Sequence, residues 1–184
     1  MSVLKLCWVF LLTTTSLMAS RLNLEIREVR QGHPSYDVFC QNWSGECSLT
    51  GPQVIEYTNE AFLQLVQVSR EVNSDIEFAL DPAQYNSEEY WNYPESGRGD
   101  CEDNALEKRR RLVKQGFPRA ALRMTTAFHR DQYYAHALLL VETTAGTFVL
   151  DQDSEDVLLW DQAPYIYEAR ERVDGKWERF FQDW

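Results

Sequence analysis

A chain of 184 residues, 44% hydrophobic and 13% aromatic, is long enough to bury one substantial core, which sets aside a disordered or fibrous protein. Its formal net charge of −11 argues against nucleic acid as a partner and against docking by charge onto an anionic membrane surface. The negative balance identifies no partner by itself, because it also keeps a protein soluble.

Residues 1–20 read as a secretory signal. Lys5 supplies the positive start, Leu6 to Leu12 the apolar stretch, and small residues follow, with cleavage near Ala19 or Ser20. The apolar stretch is short for a bilayer span, and an uncleaved anchor is the alternative reading. Lys5 is the only charged residue removed, so cleavage takes the net charge from −11 to −12. Cys7 leaves with the signal, and residues 21–184 form one domain containing Cys40, Cys47 and Cys101. An odd count in an exported chain flags one free thiol. Cys40 and Cys47 share a Gly-, Ser- and Asn-rich segment; a small disulfide fits there, and so do two buried thiols. Pairing them leaves Cys101 reduced.

Residues 21–52 read as irregular, with turn signals at His33-Pro34, Asn42-Trp43-Ser44-Gly45 and Gly51-Pro52. Thr58 has the character of an N-cap, and Phe62, Leu65, Val66, Val68, Ser69 and Val72 follow with helical spacing to about Val72. Residues 73–98 read as a long loop with Tyr85, Tyr90, Trp91 and Tyr93, either lining a cleft or packing in the core. A helix from about Asp103 to Gln115 ends at Gly116, with cationic side chains in its later turns. Leu122 to Met124 is a short strand. Residues 134–143 and 147–152 form a hairpin around Thr144-Ala145-Gly146, and a second hairpin turns at Asp174-Gly175 between Tyr165–Arg172 and Lys176–Phe180. The sum is an α+β domain: a helical N-terminal half on an antiparallel β-sheet.

The run Gly99-Asp100-Cys101-Glu102-Asp103 places a thiol at a helix start, where the dipole and free N–H groups stabilise a thiolate and could serve an oxyanion. His136 heads an apolar strand and Asp151 ends the next. A turn centred on Thr144 and Ala145 sets His136 opposite Asp153 and Asp151 opposite Leu138, so Asp151 lies diagonal to His136 on one face. A one-residue slip would separate them. Cys101, His136 and Asp151 are thus the parts of a thiol nucleophile with its base and orienter. The plainer readings are a buried cysteine and a strand-end histidine with a satisfied hydrogen bond. The rival imidazoles are His33 and His129.

Asp100, Glu102 and Asp103 raise the pKa of a neighbouring thiol. Their plain reading is favourable charge at a helix start, with Asp100 as N-cap; the functional reading is an oxygen site for calcium, whose charge would offset theirs. Three histidines and no CxxC pair speak against structural zinc. Asn42-Trp43-Ser44 fits a glycosylation acceptor, relevant only in a host that uses it, and Arg98-Gly99-Asp100 is too common a tripeptide to signify adhesion.

Taken together, these pieces resemble the bacterial transglutaminase-like cysteine proteinases, the group that includes the LapG-type periplasmic proteases. The resemblance rests on Trp91, Pro94 and Gly97 leading into Gly99–Asp103, then Lys108, Arg109 and Gly116, His136 to Leu139, Val149-Leu150-Asp151, Val157 and Trp160. It takes in Phe39-Cys40 and Glu46-Cys47 and spans most of residues 36–180. Asn104 and Gln152 depart from the family's aromatic residue and Asn. The resemblance implies a papain-like, transglutaminase-type core with Cys101 as nucleophile, His136 as base and Asp151 as orienter. It also implies calcium held with help from Asp100, Glu102 and Asp103. A periplasmic location, a protein substrate such as a large surface adhesin whose cleavage releases cells from biofilms, and an inner-membrane regulator responsive to cyclic di-GMP are further implications. The alternatives are a transglutaminase-type acyl transferase or deamidase with the same triad, and a non-catalytic calcium-dependent binding protein of this fold.

Overall fold

The computed structural model describes residues 21–181; the signal expected at residues 1–20, with Cys7, lies outside the described residues. The elements run β1 (Ile26–Arg30), α1 (Pro34–Asn42), α2 (Asn59–Asp75), β2 (Glu77–Phe78), α3 (Asp81–Tyr85), β3 (Arg98–Gly99) and α4 (Cys101–Lys114). They continue through β4 (Leu122–His129), β5 (Ala135–Thr143), β6 (Gly146–Leu150), β7 (Leu158–Leu159), β8 (Tyr165–Glu171) and β9 (Trp177–Phe180). Seven strands form one antiparallel sheet in the order β1-β9-β8-β4-β5-β6-β7, while β2 and β3 pair in parallel.

The near-continuous apolar run of β5 suits an inner strand covered on both faces. One face, with Met124, Ala137, Leu139 and Leu150, packs against Leu65, Val68 and Val72 of α2 and Leu106 and Leu112 of α4. The other, with Leu138, Leu140 and Val149, is closed by Leu22, Leu24 and Trp160. Thr58 caps α2, its Oγ1 accepting from the Ala61 N–H at 3.0 Å. Gly116, at φ +96°, ends α4 with N–H groups of Gly116 and Phe117 returning to the carbonyls of Val113 and Leu112 at 3.0 and 3.1 Å, which satisfies two terminal carbonyls. Arg109, fully buried, pairs with Glu171 of β8 at 2.8 Å and with the Tyr36 hydroxyl of α1, tying three elements together.

The mixed helix and antiparallel-sheet fold is the expected one, and two stretches of its first half are corrected. Residues 21–52 are not irregular: β1 completes the sheet beside β9, and α1 begins at Pro34, a residue that suits a first helical position because its missing N–H would go unpaired there anyway. All five β1 residues are exposed, so no alternation marks the strand. Residues 73–98 hold the end of α2, then β2, α3 and β3. Helix α4 starts at Cys101 instead of Asp103, and β4 runs on to His129. Cys40 and Cys47 form a disulfide. Among the described residues no helix is long and apolar enough to cross a membrane.

Candidate active site

Cys101 is the first residue of α4, with Asp100 at the N-cap position in extended conformation. Asp100 thus holds the expected N-cap position, but its side chain makes no capping hydrogen bond. The Cys101 thiol accepts from the Ala137 N–H at 3.4 Å and donates to Glu102 Oε2 at 3.2 Å. Burial, then the Glu102 carboxylate, push its pKa well above the ordinary thiol value.

The hairpin register is the expected one: Leu139 pairs with Leu150 and Thr143 with Gly146. His136 Nε2 lies 2.7 Å from Asp151 Oδ1, and both residues are buried. An ionised carboxylate only accepts, so Nε2 carries the proton and Nδ1 is left with a lone pair. Burial alone would raise Asp151, but hydrogen bonds from His136, from the Tyr165 hydroxyl at 2.5 Å and from the Asp153 N–H at 3.0 Å hold its carboxyl below the ordinary value. The Asp151 carbonyl accepts from Lys108 Nζ at 2.6 Å and Asn73 Nδ2 at 3.0 Å, which anchors the main chain of that corner.

Cys101 and His136 line one cavity of about 660 Å³, with Phe78, Leu80, Glu88 and Tyr134 also on its wall. His129 shares this cavity, but its Nδ1 accepts N–H groups of its own loop, and His33 caps α1. The aromatics of residues 85–93 do not line it; Trp91 and Tyr93 are core residues.

Asp100, Glu102 and Asp103 are buried, and they converge on Asp81, a residue of the stretch 73–98 that the sequence marks only as a loop. Oxygens of Asp81, Asp100 and Asp103 lie within 4.8 Å of one another, as do those of Asp81, Glu89 and Glu102. One oxygen each of Asp81, Asp100, Glu102 and Asp103 is buried without a hydrogen-bond partner. Burial raises all four, Asp81 to about 6, Asp103 to about 8 and Glu102 to about 10, and neighbouring carboxylates add to the rise in Asp81, Asp103 and Glu102. Buried carboxylates in this state are what a hard divalent cation would satisfy. Gly99 lets them close up, since a Cβ there would lie 2.7 Å from that of Asp103. Asp81 is separated from Asp100 by the whole of the α3–β3 segment, and the Asp-Pro pair around it signals only a turn.

The fold and its thiol-bearing cleft define a transglutaminase-like cysteine protease. The chain belongs to the family described as bacterial transglutaminase-like cysteine proteinase, whose model matches residues 28–182. Among solved structures it is similar to EGTA-treated Legionella pneumophila LapG at 27% identity, covering 67% of this chain and 70% of that one, with a TM-score of 0.57. A second Legionella pneumophila LapG structure matches at 28% identity over 64% and 67% of the two chains, with a TM-score of 0.55. The calcium-bound form of that protein matches at 23% identity over 83% and 85%, with a TM-score of 0.57, and bears on the fold alone. No curated protein matches the sequence.

Proposed function

We propose that the protein is an exported cysteine endopeptidase in which Cys101 is the nucleophile, His136 its base and Asp151 the orienter of His136. The observation that carries this is the 2.7 Å contact of Asp151 with His136, a residue that lines the same cavity as Cys101. Asp151 holds the proton on Nε2, so Nδ1 is the nitrogen that takes the thiol proton. The thiolate attacks a peptide carbonyl, and N–H groups at the start of α4 are placed to steady the oxyanion. His136 returns the proton to the leaving amine, and water then releases the acyl group from Cys101.

Asp81, Asp100, Glu102 and Asp103 would hold a calcium ion beside the thiol. The ion would supply the positive charge that these buried oxygens lack. Two findings support this: the four unpartnered oxygens, and the existence of LapG in calcium-bound and EGTA-treated forms. The signal-like residues 1–20 and the family resemblance support a periplasmic enzyme acting on a protein, with a large surface adhesin and a cyclic di-GMP-responsive regulator as the partners to test.

The test is cleavage of the N-terminal region of a large adhesin from the same genome, in calcium or EGTA, with Cys101→Ala as control. Calcium-dependent cutting lost in Cys101→Ala supports the reading. A product of increased mass replaces endopeptidase by acyl transfer, and an intact substrate with a thiol inert to alkylation in calcium overturns the enzymatic reading.

A further inference from the structure

We propose that Tyr165 is a positioning residue of this site, its hydroxyl fixing the Asp151 carboxylate and its ring fixing the plane of His136. The proposal rests on the reading of Cys101, His136 and Asp151 as the catalytic groups. Tyr165 opens β8 and pairs in register with His129 of β4, while Ala127 of β4 pairs with His136 of β5. The tyrosine therefore reaches the site from two strands away. Its ring lies parallel to the imidazole, with centroids 5.5 Å apart and 15° between planes. Its hydroxyl donates to Asp151 Oδ2 at 2.5 Å, the oxygen that His136 leaves free.

The two contacts do different work. The other carboxylate oxygen, Oδ1, is already shared by His136 and the Asp153 N–H. With Oδ2 held by Tyr165, the carboxylate cannot turn without breaking a charge-assisted hydrogen bond. The ring covers one face of the imidazole, and Tyr134 meets it edge-on at 89°, so His136 cannot tilt away from the Asp151 carboxylate. Lys108 and Asn73 hold only the Asp151 main chain, so Tyr165 joins His136 in holding the carboxylate itself, one side chain on each oxygen. A purely apolar core position would need the ring and not the hydroxyl.

Tyr165→Phe keeps the ring and removes the hydrogen bond; Tyr165→Leu removes both. Each is compared with wild type, His136→Ala and Cys101→Ala in calcium-containing buffer. The readouts are the rate of Cys101 alkylation by iodoacetamide and the ¹⁵N spectrum of His136, with a melting curve to confirm folding. Alkylation in Tyr165→Phe is expected to slow by about tenfold, the worth of one charge-assisted hydrogen bond, and further in Tyr165→Leu. The His136 nitrogens are expected to move from a single Nε2–H tautomer toward an average of two. Folded Tyr165→Phe with wild-type alkylation and an unchanged spectrum, while His136→Ala is slow, overturns the role of Tyr165 and leaves the triad standing. His136→Ala as fast as wild type overturns the triad itself, and the proposal with it.

Discussion

Cys101 holds its thiol 3.2 Å from the carboxylate of its own neighbour, Glu102. The pair is poorly set for nucleophilic attack until positive charge arrives, because burial and the adjacent carboxylate both favour the protonated thiol. Calcium is therefore expected to speed iodoacetamide alkylation of Cys101 by about tenfold over EGTA, the effect of a one-unit fall in thiol pKa. Equal rates in the two buffers would show that the carboxylate cluster does not control the thiol.

Stability without calcium should depend on pH in a defined direction. Asp81, Asp103 and Glu102 are raised to about 6, about 8 and about 10, so the folded chain keeps protons the unfolded chain has lost. A raised folded-state pKa gives stability that is complete below the unfolded value and lost as pH rises through the folded one. Lys108, lowered to about 7 by burial, is charged in both states below that pH and adds no slope there. In EGTA the melting temperature is thus expected to fall from about pH 5 to about pH 7, and calcium to flatten the fall. A flat or rising profile in EGTA would contradict this.

Asp81 belongs to both oxygen groups, so its removal should cost calcium affinity as much as removal of Asp103. Asp81→Asn is expected to abolish most of the calcium-induced rise in melting temperature while leaving the EGTA value equal to or above wild type, since one buried charge is gone. A full calcium response in Asp81→Asn would place the ion elsewhere.

The Arg109–Glu171 pair is a structural clamp remote from the thiol, at 2.8 Å with both side chains buried. Glu171→Gln leaves a buried guanidinium without its counter-charge and is expected to cost about 3–5 kcal/mol in urea unfolding. A cost below about 1 kcal/mol would mean that Tyr36 alone can carry Arg109.

Asn104, on the thiol's own helix, is buried with both side-chain polar atoms unpartnered. Asn104→Leu should therefore stabilise the fold by about 1–2 kcal/mol, measured by the same unfolding curve. Destabilisation would show that the amide has a polar partner in solution.

The site was legible where chemistry and periodicity coincide. Alternation about the Gly146 turn gave the register that lets Asp151 meet His136, and the thiol among carboxylates marked the head of α4. Asp81 was hidden because an Asp-Pro pair has a sufficient local explanation as a turn, and only the chain's return from α3 to α4 brings it to Asp100. Tyr165 was hidden for a similar reason: in sequence it is one aromatic at a strand start, and its contacts come from the sheet order β8-β4-β5. Strand β1 was missed because an exposed edge has no buried face to impose a pattern.

The far face of the sheet is closed by a strap and not by a helix. Leu22 is nearly buried there, and its N–H donates to Thr147 Oγ1 at 2.9 Å. Shortening the chain to begin at Glu25 would strip Leu22 and Leu24 from this cluster, leave Trp160 as its remaining cover and bare apolar surface that invites self-association. Anyone trimming this protein for crystals or assays should leave Arg21 to Leu24 in place.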